Sequence, residues 1–171
     1  MEKFRELGLD GDILKGIADL GFETPSPVQE KAIPVILGEE NDLVVLAQTG
    51  TGKTAAFGLP LLQKINPEWN SVQVLVLSPT RELCMQIGSD LKNYSKYLPD
   101  IRVTCVYGGT DIRRQMKELQ KGVHVVVATP GRLVDLLNRK ALNIETVFAV
   151  VLDEADEMLN MGFQEDLDFI L

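Results

Sequence analysis

Residues 47–54 read AQTGTGKT and directly follow the apolar run Leu43–Ala47. Gly50 and Gly52 precede a lysine and a threonine as in the Walker A phosphate-loop pattern, although Ala47 stands where that pattern has its first glycine. Such a loop joins a buried strand to a helix, and its backbone amides surround phosphate groups at the helix N-terminus. The alternative is a glycine-rich turn that binds nothing. We therefore expect a phosphate site in a fold of strands and helices.

Five short runs rich in β-branched residues predict strands covered on both faces, as in a parallel sheet. These runs are Leu43–Ala47, Val72–Leu77, Ile101–Tyr107, Val123–Ala128 and Val147–Leu152. The predicted helices are Asp12–Leu20, Pro27–Leu37, Lys53–Ile65, Arg81–Leu98, Asp111–Gln120 and Pro130–Lys140. Gly21 and Gly38 are expected to end the first two helices. The alternation predicts an α/β, doubly wound and mostly parallel sheet flanked by helices, with its ligand site beyond the carboxyl ends of the strands.

The composition is that of one globular domain, with 171 residues, 45% of them hydrophobic and 25% charged. No apolar run approaches the roughly 20 residues of a membrane span, and the N-terminal sequence MEKFRELGLD has no apolar leader segment. We therefore expect a cytoplasmic protein with no membrane partner. Cys84, Cys105 and the single histidine, His124, lack the spacing of a zinc site or a disulfide framework, so both cysteines are predicted to be reduced core residues.

The net charge of −8 opposes a nucleic-acid partner, since phosphate binding favours basic surfaces. The distribution of the charge weakens this objection. From Asp153 onward there are seven acids and no lysine or arginine, which leaves 18 acids against 17 bases in residues 1–152. Most of the chain is nearly neutral, so the composition does not exclude RNA.

Three acids, Asp153, Glu154 and Asp156, follow the last predicted strand. A carboxylate at the end of a buried strand suits a nucleotide-bound Mg²⁺, which favours Asp153 and Thr54 as metal ligands. Glu154 is a candidate to orient or deprotonate the water that attacks the γ-phosphate, and Asp156 is a candidate to brace the site through hydrogen bonds. The alternative is an acidic helix N-terminus, which accounts for one or two of these acids but not for three.

With AQTGTGKT and DEAD in this order, the chain resembles the N-terminal RecA-like domain of the DEAD-box ATP-dependent RNA helicases of superfamily 2. The stretch DEADEMLNMGF at residues 153–163 is most similar to bacterial cold-shock-type members. The resemblance implies an ATP hydrolase that acts on RNA, with ATP and Mg²⁺ as cofactors. Cys84 departs from the family, which usually has alanine after PTREL, and is expected on the buried face of its helix.

The stretch FETPSPVQ at residues 22–29 is similar to the Q motif of this family, and Phe4 lies upstream of it. The resemblance implies that Gln29 reads the adenine edge, for which an amide offers both a donor and an acceptor, and that Phe4 stacks on the ring. Without this resemblance, Gln29 would be interpreted as a solvated helix residue, and Phe4 as a staple, a side chain that packs against the next helix. The residues thereby assigned to ATP are Phe4, Phe22, Thr24, Gln29, Gln48, Thr49, Gly50, Thr51, Gly52, Lys53, Thr54 and Asp153. The catalytic candidates are Lys53, Asp153 and Glu154.

Three further segments follow predicted strands and resemble the RNA-binding motifs of the family. PTREL at residues 79–83 is similar to motif Ia, Gly108–Gly109 to the GG element, and TPGR at residues 129–132 to motif Ib. The resemblance implies that they hold the RNA backbone without reading bases. Helix capping is the alternative for Thr129 and Pro130. The residues thereby assigned to RNA are Pro79, Thr80, Arg81, Gly108, Gly109, Thr129, Pro130, Gly131 and Arg132.

Residues 1–38 are predicted to form the Q-motif region and residues 39–171 the first RecA-like domain, without the SAT motif and the second RecA-like domain of the family. The resemblance implies that this second domain of the same protein is a partner, and that the chain alone hydrolyses ATP very weakly. Another P-loop enzyme, such as a kinase or GTPase, is opposed by the Q motif and by the lack of a guanine-reading NKxD sequence. A nucleotide-gated RNA-binding module is opposed by Glu154, which binding does not require.

Overall fold

The computed structural model describes residues 1–38 and 41–171. By their internal contacts the residues group into two units. Unit 1 consists of Met1–Asn66 and Asp90–Asp100, and unit 2 consists of Pro67–Ser89 and Ile101–Leu171. The predicted boundary between residues 38 and 39 involves Glu39, which lies outside the described residues, so it stays a prediction.

Unit 2 is built on a four-stranded parallel sheet. Its strands are β1 (Val74–Leu77), β2 (Val103–Val106), β3 (Val125–Ala128) and β4 (Ala149–Leu152). They lie in the order β2-β3-β1-β4, and the last residues of all four strands are in register. The sheet confirms the predicted α/β class and four of the five predicted strands.

The burial of the strands follows their position in the sheet. The two central strands, β1 and β3, are buried at every residue. The edge strand β4 is less covered, and its Val150 is 41% exposed. Continuous β-branched runs without polar alternation are typical of parallel strands covered on both faces, so the sequence pattern describes the central strands best.

The helices of unit 2 cover the sheet and contribute leucine, isoleucine and methionine side chains to its core. They are α5 (Arg81–Tyr94), of which the last five residues belong to unit 1, α6 (Ile112–Gln120), α7 (Pro130–Asn138), α8 (Ala155–Asn160) and α9 (Gln164–Ile170). The first three confirm predicted helices, whereas α8 and α9 were not predicted. The longest helix of the described residues is α5, with 14 residues, and none is long and apolar enough to cross a membrane.

Unit 1 contains four helices that precede the sheet in the sequence. They are α1 (Glu2–Glu6), which was not predicted, α2 (Gly11–Asp19), α3 (Pro27–Gly38) and α4 (Lys53–Lys64). Gly21 ends α2 as predicted, with a left-handed φ of +80°. Gly16 allows α2 to approach the end of α5, since a Cβ there would lie 2.6 Å from the Tyr94 carbonyl oxygen.

The predicted strand Leu43–Ala47 is wrong. This run has no strand structure, and Val44 and Leu46 are 86% and 94% exposed. An apolar β-branched pattern reports a preference for burial, but a strand also needs a neighbour that supplies hydrogen bonds, and the pattern does not reveal that neighbour. The phosphate loop therefore opens helix α4 as predicted but does not follow a strand.

Candidate functional site

The phosphate loop in unit 1 has a backbone suited to binding an anion. Gly50 and Gly52 have φ of +80° and +88°, in the left-handed region that favours glycine. The Thr51 hydroxyl donates to the Gln48 carbonyl oxygen at 2.6 Å, which closes the turn. Gly52 is the N-cap of α4, so the helix begins at Lys53. The loop thus offers backbone N–H groups and the positive end of a helix to a phosphate.

Gln29 supports this loop from helix α3. It is only 5% exposed, its Oε1 accepts from the Ser26 backbone N–H at 2.9 Å, and its Nε2 donates to the Gly52 carbonyl oxygen at 3.2 Å. An amide has two N–H donors and two acceptor lone pairs, so one of each is left over from these two bonds. A Cβ on residue 52 would collide with Nε2 and would lie 3.2 Å from the Ser26 hydroxyl. The structure therefore brings the predicted adenine-reading residue together with the predicted phosphate loop.

Phe4 lies in the core of unit 1 rather than at its surface. It is fully buried, and its ring centroid lies 6.1 Å from that of Phe22, which in turn lies 6.1 Å edge-on from that of Tyr94. Burial, and secondarily the nearby Asp90 carboxylate, raises the pKa of the Tyr94 hydroxyl. This aromatic cluster agrees with the staple alternative. Stacking of Phe4 on adenine stays a prediction, and it requires the ring to leave its present contacts.

Four predicted segments lie along one edge of the sheet in unit 2. Residues 79–83 follow β1, Gly108–Gly109 follow β2, residues 129–132 follow β3, and Asp153–Asp156 follow β4. Because the strands are parallel and end in register, these segments emerge at the same edge, in the sheet order GG, TPGR, PTREL, DEAD. Ligand sites of open α/β sheets lie beyond this edge.

The acidic segment makes an abrupt turn from strand to helix. The Asp153 backbone N–H donates to the Leu77 carbonyl oxygen at 2.9 Å and so continues the ladder one residue past β4. Helix α8 begins at Ala155, and Glu154 between them has φ 53° and ψ 50°, in the left-handed region. This conformation costs a residue with a Cβ about 1–2 kcal/mol. Strain of this kind concentrates at functional sites, which fits a working role for Glu154. Asp156 is exposed in the first turn of α8.

The two candidate threonines cap their helices differently. The Thr80 hydroxyl accepts from the Leu83 backbone N–H at 3.2 Å and so caps α5. Thr129 is the N-cap residue of α7, followed by Pro130 at the first helical position, but its side chain makes no capping hydrogen bond. The capping alternative therefore explains the position of Thr129 and Pro130 but not the choice of a hydroxyl.

The two candidate arginines are both tied to the loop that follows β2. The Arg81 guanidinium lies over the Tyr107 ring, 4.9 Å from its centroid, in a cation–π contact. Arg132 donates from Nη1 to Gln115 Oε1 at 2.8 Å and from Nη2 to the Thr110 carbonyl oxygen at 3.1 Å. The loop between them contains Gly109, whose φ of +81° again favours glycine. Arg81 and Arg132 thus both contact the loop 107–110, which contains the glycine pair, within unit 2.

The model of the family described as DEAD/DEAH box helicase matches residues 26–171. The chain belongs to the DEAD/DEAH box helicases. It is 53% identical over 171 residues to the ATP-dependent RNA helicase CshA of Listeria monocytogenes, covering all of this chain and 32% of that protein. It is 50% identical over 171 residues to the DEAD-box ATP-dependent RNA helicase CshA of Geobacillus kaustophilus, covering all of this chain and 36% of that protein. The chain spans about a third of the length of these relatives.

Solved structures of DEAD-box proteins share the fold of this helicase domain. A DEAD box protein from the hyperthermophile Methanococcus jannaschii superposes with a TM-score of 0.90 at 41% identity, covering 98% of this chain and 46% of that one. The yeast DEAD-box splicing factor Prp28 superposes with a TM-score of 0.88 at 33% identity, covering 95% of this chain and 39% of that one. The predicted resemblance and the RecA-like fold are confirmed.

Three residues that contact candidate site residues were not predicted from the sequence. Ser26 supports Gln29, Tyr107 supports Arg81, and Gln115 supports Arg132. A signal for Gln115 was present, because it lies four residues before the buried Leu119 and hence on the buried face of α6. By contrast, Cys84 is fully buried on its helix, as predicted.

Proposed function

We propose that this chain is the ATP-binding and RNA-backbone-binding domain of an ATP-dependent RNA helicase, and that it works with a second RecA-like domain of the same protein. The observation that carries the proposal is the common sheet edge, from which the GG, TPGR, PTREL and DEAD segments all emerge. Membership of the DEAD/DEAH box family supports it. The thiols of Cys84 and Cys105, which form no disulfide, support a cytoplasmic location as part of the same proposal.

The phosphate loop is proposed to hold the triphosphate of ATP. The left-handed glycines at positions 50 and 52 let the backbone amides converge, and Lys53 adds a cation for the β- and γ-phosphates. Thr54, in the first turn of α4, offers a hydroxyl oxygen, and Asp153 offers a carboxylate. These are hard oxygen donors of the kind that Mg²⁺ accepts, so the residues fit that ion. Thr54 and Asp153 would hold Mg²⁺, which would offset the negative charge of the phosphates.

Glu154 is proposed to act on the attacking water. Glu154 directly follows Asp153, so a second carboxylate stands next to the proposed metal ligand in the sequence. Its left-handed backbone forms the turn between strand β4 and helix α8. A carboxylate in this position accepts a proton from water or fixes the orientation of that water. Asp156, in the first turn of α8, is proposed to stabilise the site by hydrogen bonding.

The adenine is proposed to be recognised by Gln29. Its amide already joins the Q-motif residue Ser26 to Gly52 of the phosphate loop, so the proposed adenine site and the phosphate loop share one side chain. The remaining donor and acceptor of the amide match the adjacent acceptor and donor of the adenine edge. Phe4, Phe22 and Thr24 complete the proposed nucleotide set.

RNA is proposed to bind through its backbone at the sheet edge. Gly108, Gly109 and Arg81 are exposed there, and α7 presents its N-terminus at Thr129. Backbone amides, hydroxyls and guanidinium groups hold phosphates but do not read bases. Binding should therefore weaken with added salt and depend little on RNA sequence.

The proposal is tested by measuring the binding of ATP, GTP and AMP to the chain side by side. We expect ATP to bind much more tightly than GTP, because the Gln29 amide matches adenine, and more tightly than AMP, because the loop holds the β- and γ-phosphates. Equal affinity for ATP and GTP would refute the adenine assignment. Equal affinity for ATP and AMP would refute the phosphate assignment.

A further inference from the structure

The buried side-chain amide of Gln115 joins the loop after β2 to the start of α7. Gln115 is 8% exposed, and its Nε2 donates both to the Tyr107 carbonyl oxygen at 3.0 Å and to the Thr110 hydroxyl at 2.9 Å. Its Oε1 accepts from Arg132. Both N–H groups of the amide are therefore used, and they form hydrogen bonds to the two ends of the segment 107–110, which contains the glycine pair.

Arg132 closes the same arrangement from the other side. Its second nitrogen donates to the Thr110 carbonyl oxygen, so Gln115 and Arg132 hold Thr110 by its hydroxyl and its backbone. Helix α6, which carries Gln115, is itself fixed at its start, where the Asp111 side chain accepts from the Arg113 backbone N–H at 2.9 Å. At the opposite end of the loop, the Tyr107 ring packs under Arg81. The network therefore spans all three proposed RNA-binding segments.

We propose that Gln115 and Arg132 are positioning residues, which hold the segment 107–110 in the conformation in which Gly108 and Gly109 meet the RNA backbone. This inference rests on the proposed RNA-binding function. Two adjacent glycines have much conformational freedom. If the loop became ordered only when RNA binds, the lost conformational entropy would lower its affinity for RNA. A loop fixed beforehand avoids that loss, so the network raises RNA affinity without touching RNA.

This role differs from a direct contact between Arg132 and phosphate. A contact role needs the charge of the side chain, which lysine also supplies. A positioning role needs the two parallel N–H donors that reach Gln115 and Thr110, which lysine cannot reproduce. Substitution of Arg132 by lysine therefore separates the two roles.

The test compares Gln115→Met with Gln120→Met in the full-length protein. Methionine has a similar length to glutamine but makes none of the three hydrogen bonds, and Gln120 is an exposed residue of the same helix. For Gln115→Met we expect affinity for a single-stranded RNA oligonucleotide to fall about tenfold, the effect of losing about 1.4 kcal/mol, or one to two net hydrogen bonds. ADP affinity should stay at the wild-type value, and Gln120→Met should bind RNA like wild type. Unchanged RNA affinity in Gln115→Met would overturn the inference.

The salt dependence of RNA binding distinguishes a positioning role from the loss of a phosphate contact. Loss of one phosphate-binding cation lowers the slope of log affinity against log salt by about 0.7 for a single strand. We expect Arg132→Lys to weaken binding as much as Gln115→Met does, with the wild-type slope in both, and the double variant to be no weaker than either single variant. Wild-type affinity in Arg132→Lys, or additive effects in the double variant, would contradict a shared network.

Hydrogen exchange of the Gly108 and Gly109 amides tests the network without RNA. Exchange should be faster in Gln115→Met than in wild type and unchanged in Gln120→Met. Should Gln115→Met fail to fold, Gln115→Glu retains the acceptor for Arg132 but loses both donors, and it should show the same faster exchange. Wild-type exchange rates in a folded variant would refute the positioning role. If wild-type protein fails to bind RNA while the exchange result holds, the proposed function fails and the network stands.

Discussion

The substitution Gly52→Ala tests the phosphate loop where the structure constrains it most. Position 52 combines a φ of +88° with a Cβ position that collides with the Gln29 amide nitrogen. The left-handed conformation costs a residue with a Cβ about 1–2 kcal/mol. Displacing Gln29 removes its bond to the Gly52 carbonyl oxygen, worth about 0.5–1.5 kcal/mol. The combined cost is about 1.5–3.5 kcal/mol, which corresponds to about a 10- to 400-fold loss of nucleotide affinity.

The substitution Gly50→Ala separates backbone strain from the collision. Gly50 has a similar φ of +80°, but a Cβ there meets nothing within 4 Å. Strain alone predicts a loss of about 5- to 30-fold. Gly38→Ala is a control, because Gly38 has an ordinary φ and open space around its Cβ position. We expect it to bind like wild type.

The assay is a titration of the chain with a fluorescent ADP analogue, monitored together with thermal unfolding. The expected order of affinity is wild type and Gly38→Ala, then Gly50→Ala, then Gly52→Ala. In the background Gly52→Ala, replacing Gln29 by alanine should cost less than it does in wild type, because the collision has already displaced its amide. Equal affinity of Gly50→Ala and Gly52→Ala would refute the argument that Gln29 restricts position 52.

Three further predictions concern the proposed ATP chemistry. Gln29→Ala should lower the affinity for ATP and ADP alike, as measured by titration. Unchanged ADP affinity would refute the Q-motif assignment. In the full-length protein, Lys53→Ala should weaken nucleotide binding, whereas Glu154→Gln should bind nucleotide but not hydrolyse it. Normal ATP hydrolysis by Glu154→Gln would exclude Glu154 from the mechanism. This 171-residue chain should bind nucleotide but release almost no phosphate, with or without RNA, because an arginine finger worth about 10³ to 10⁵ in rate is expected from the second domain. RNA-stimulated turnover by the chain alone would contradict that expectation.

The sheet was predictable from sequence where burial alone determined the structure. The strands β1 and β3, with the sequences VLVL and VVVA, are central and buried at every residue, as their apolar sequences predicted. Helices with a clear beginning, such as α7 after Thr129 and Pro130, were equally predictable. In these elements local preference and tertiary environment agree.

The run Leu43–Ala47 shows the limit of this reasoning. It has the same composition as the buried strands, yet it is largely exposed and has no strand structure. Strand formation depends on a hydrogen-bonding neighbour that is distant in sequence, which a local pattern does not contain. The short helices α8 and α9 were missed for a related reason, because packing rather than a long periodic pattern stabilises them.

The candidate site was predictable as motifs but not as contacts. The sequence identified Gln29, Gly52 and Arg132 separately, whereas the structure shows that the first two are bonded to each other. It also shows that Arg132 is held by Gln115, which no motif indicated. The predicted stacking of Phe4 on adenine depended on the resemblance to the family, whereas its own hydrophobicity accounts for the aromatic cluster in which it lies.

The left-handed backbone of Glu154 makes thermal stability a misleading guide to improved versions of this domain. Glycine relieves the backbone cost at this position and asparagine tolerates the conformation better than glutamate does. A library selected for a high melting temperature would therefore be enriched in variants that have discarded the carboxylate. Screens that rank variants by melting temperature should keep residue 154 fixed, because they would otherwise favour variants without the carboxylate that we propose acts on water.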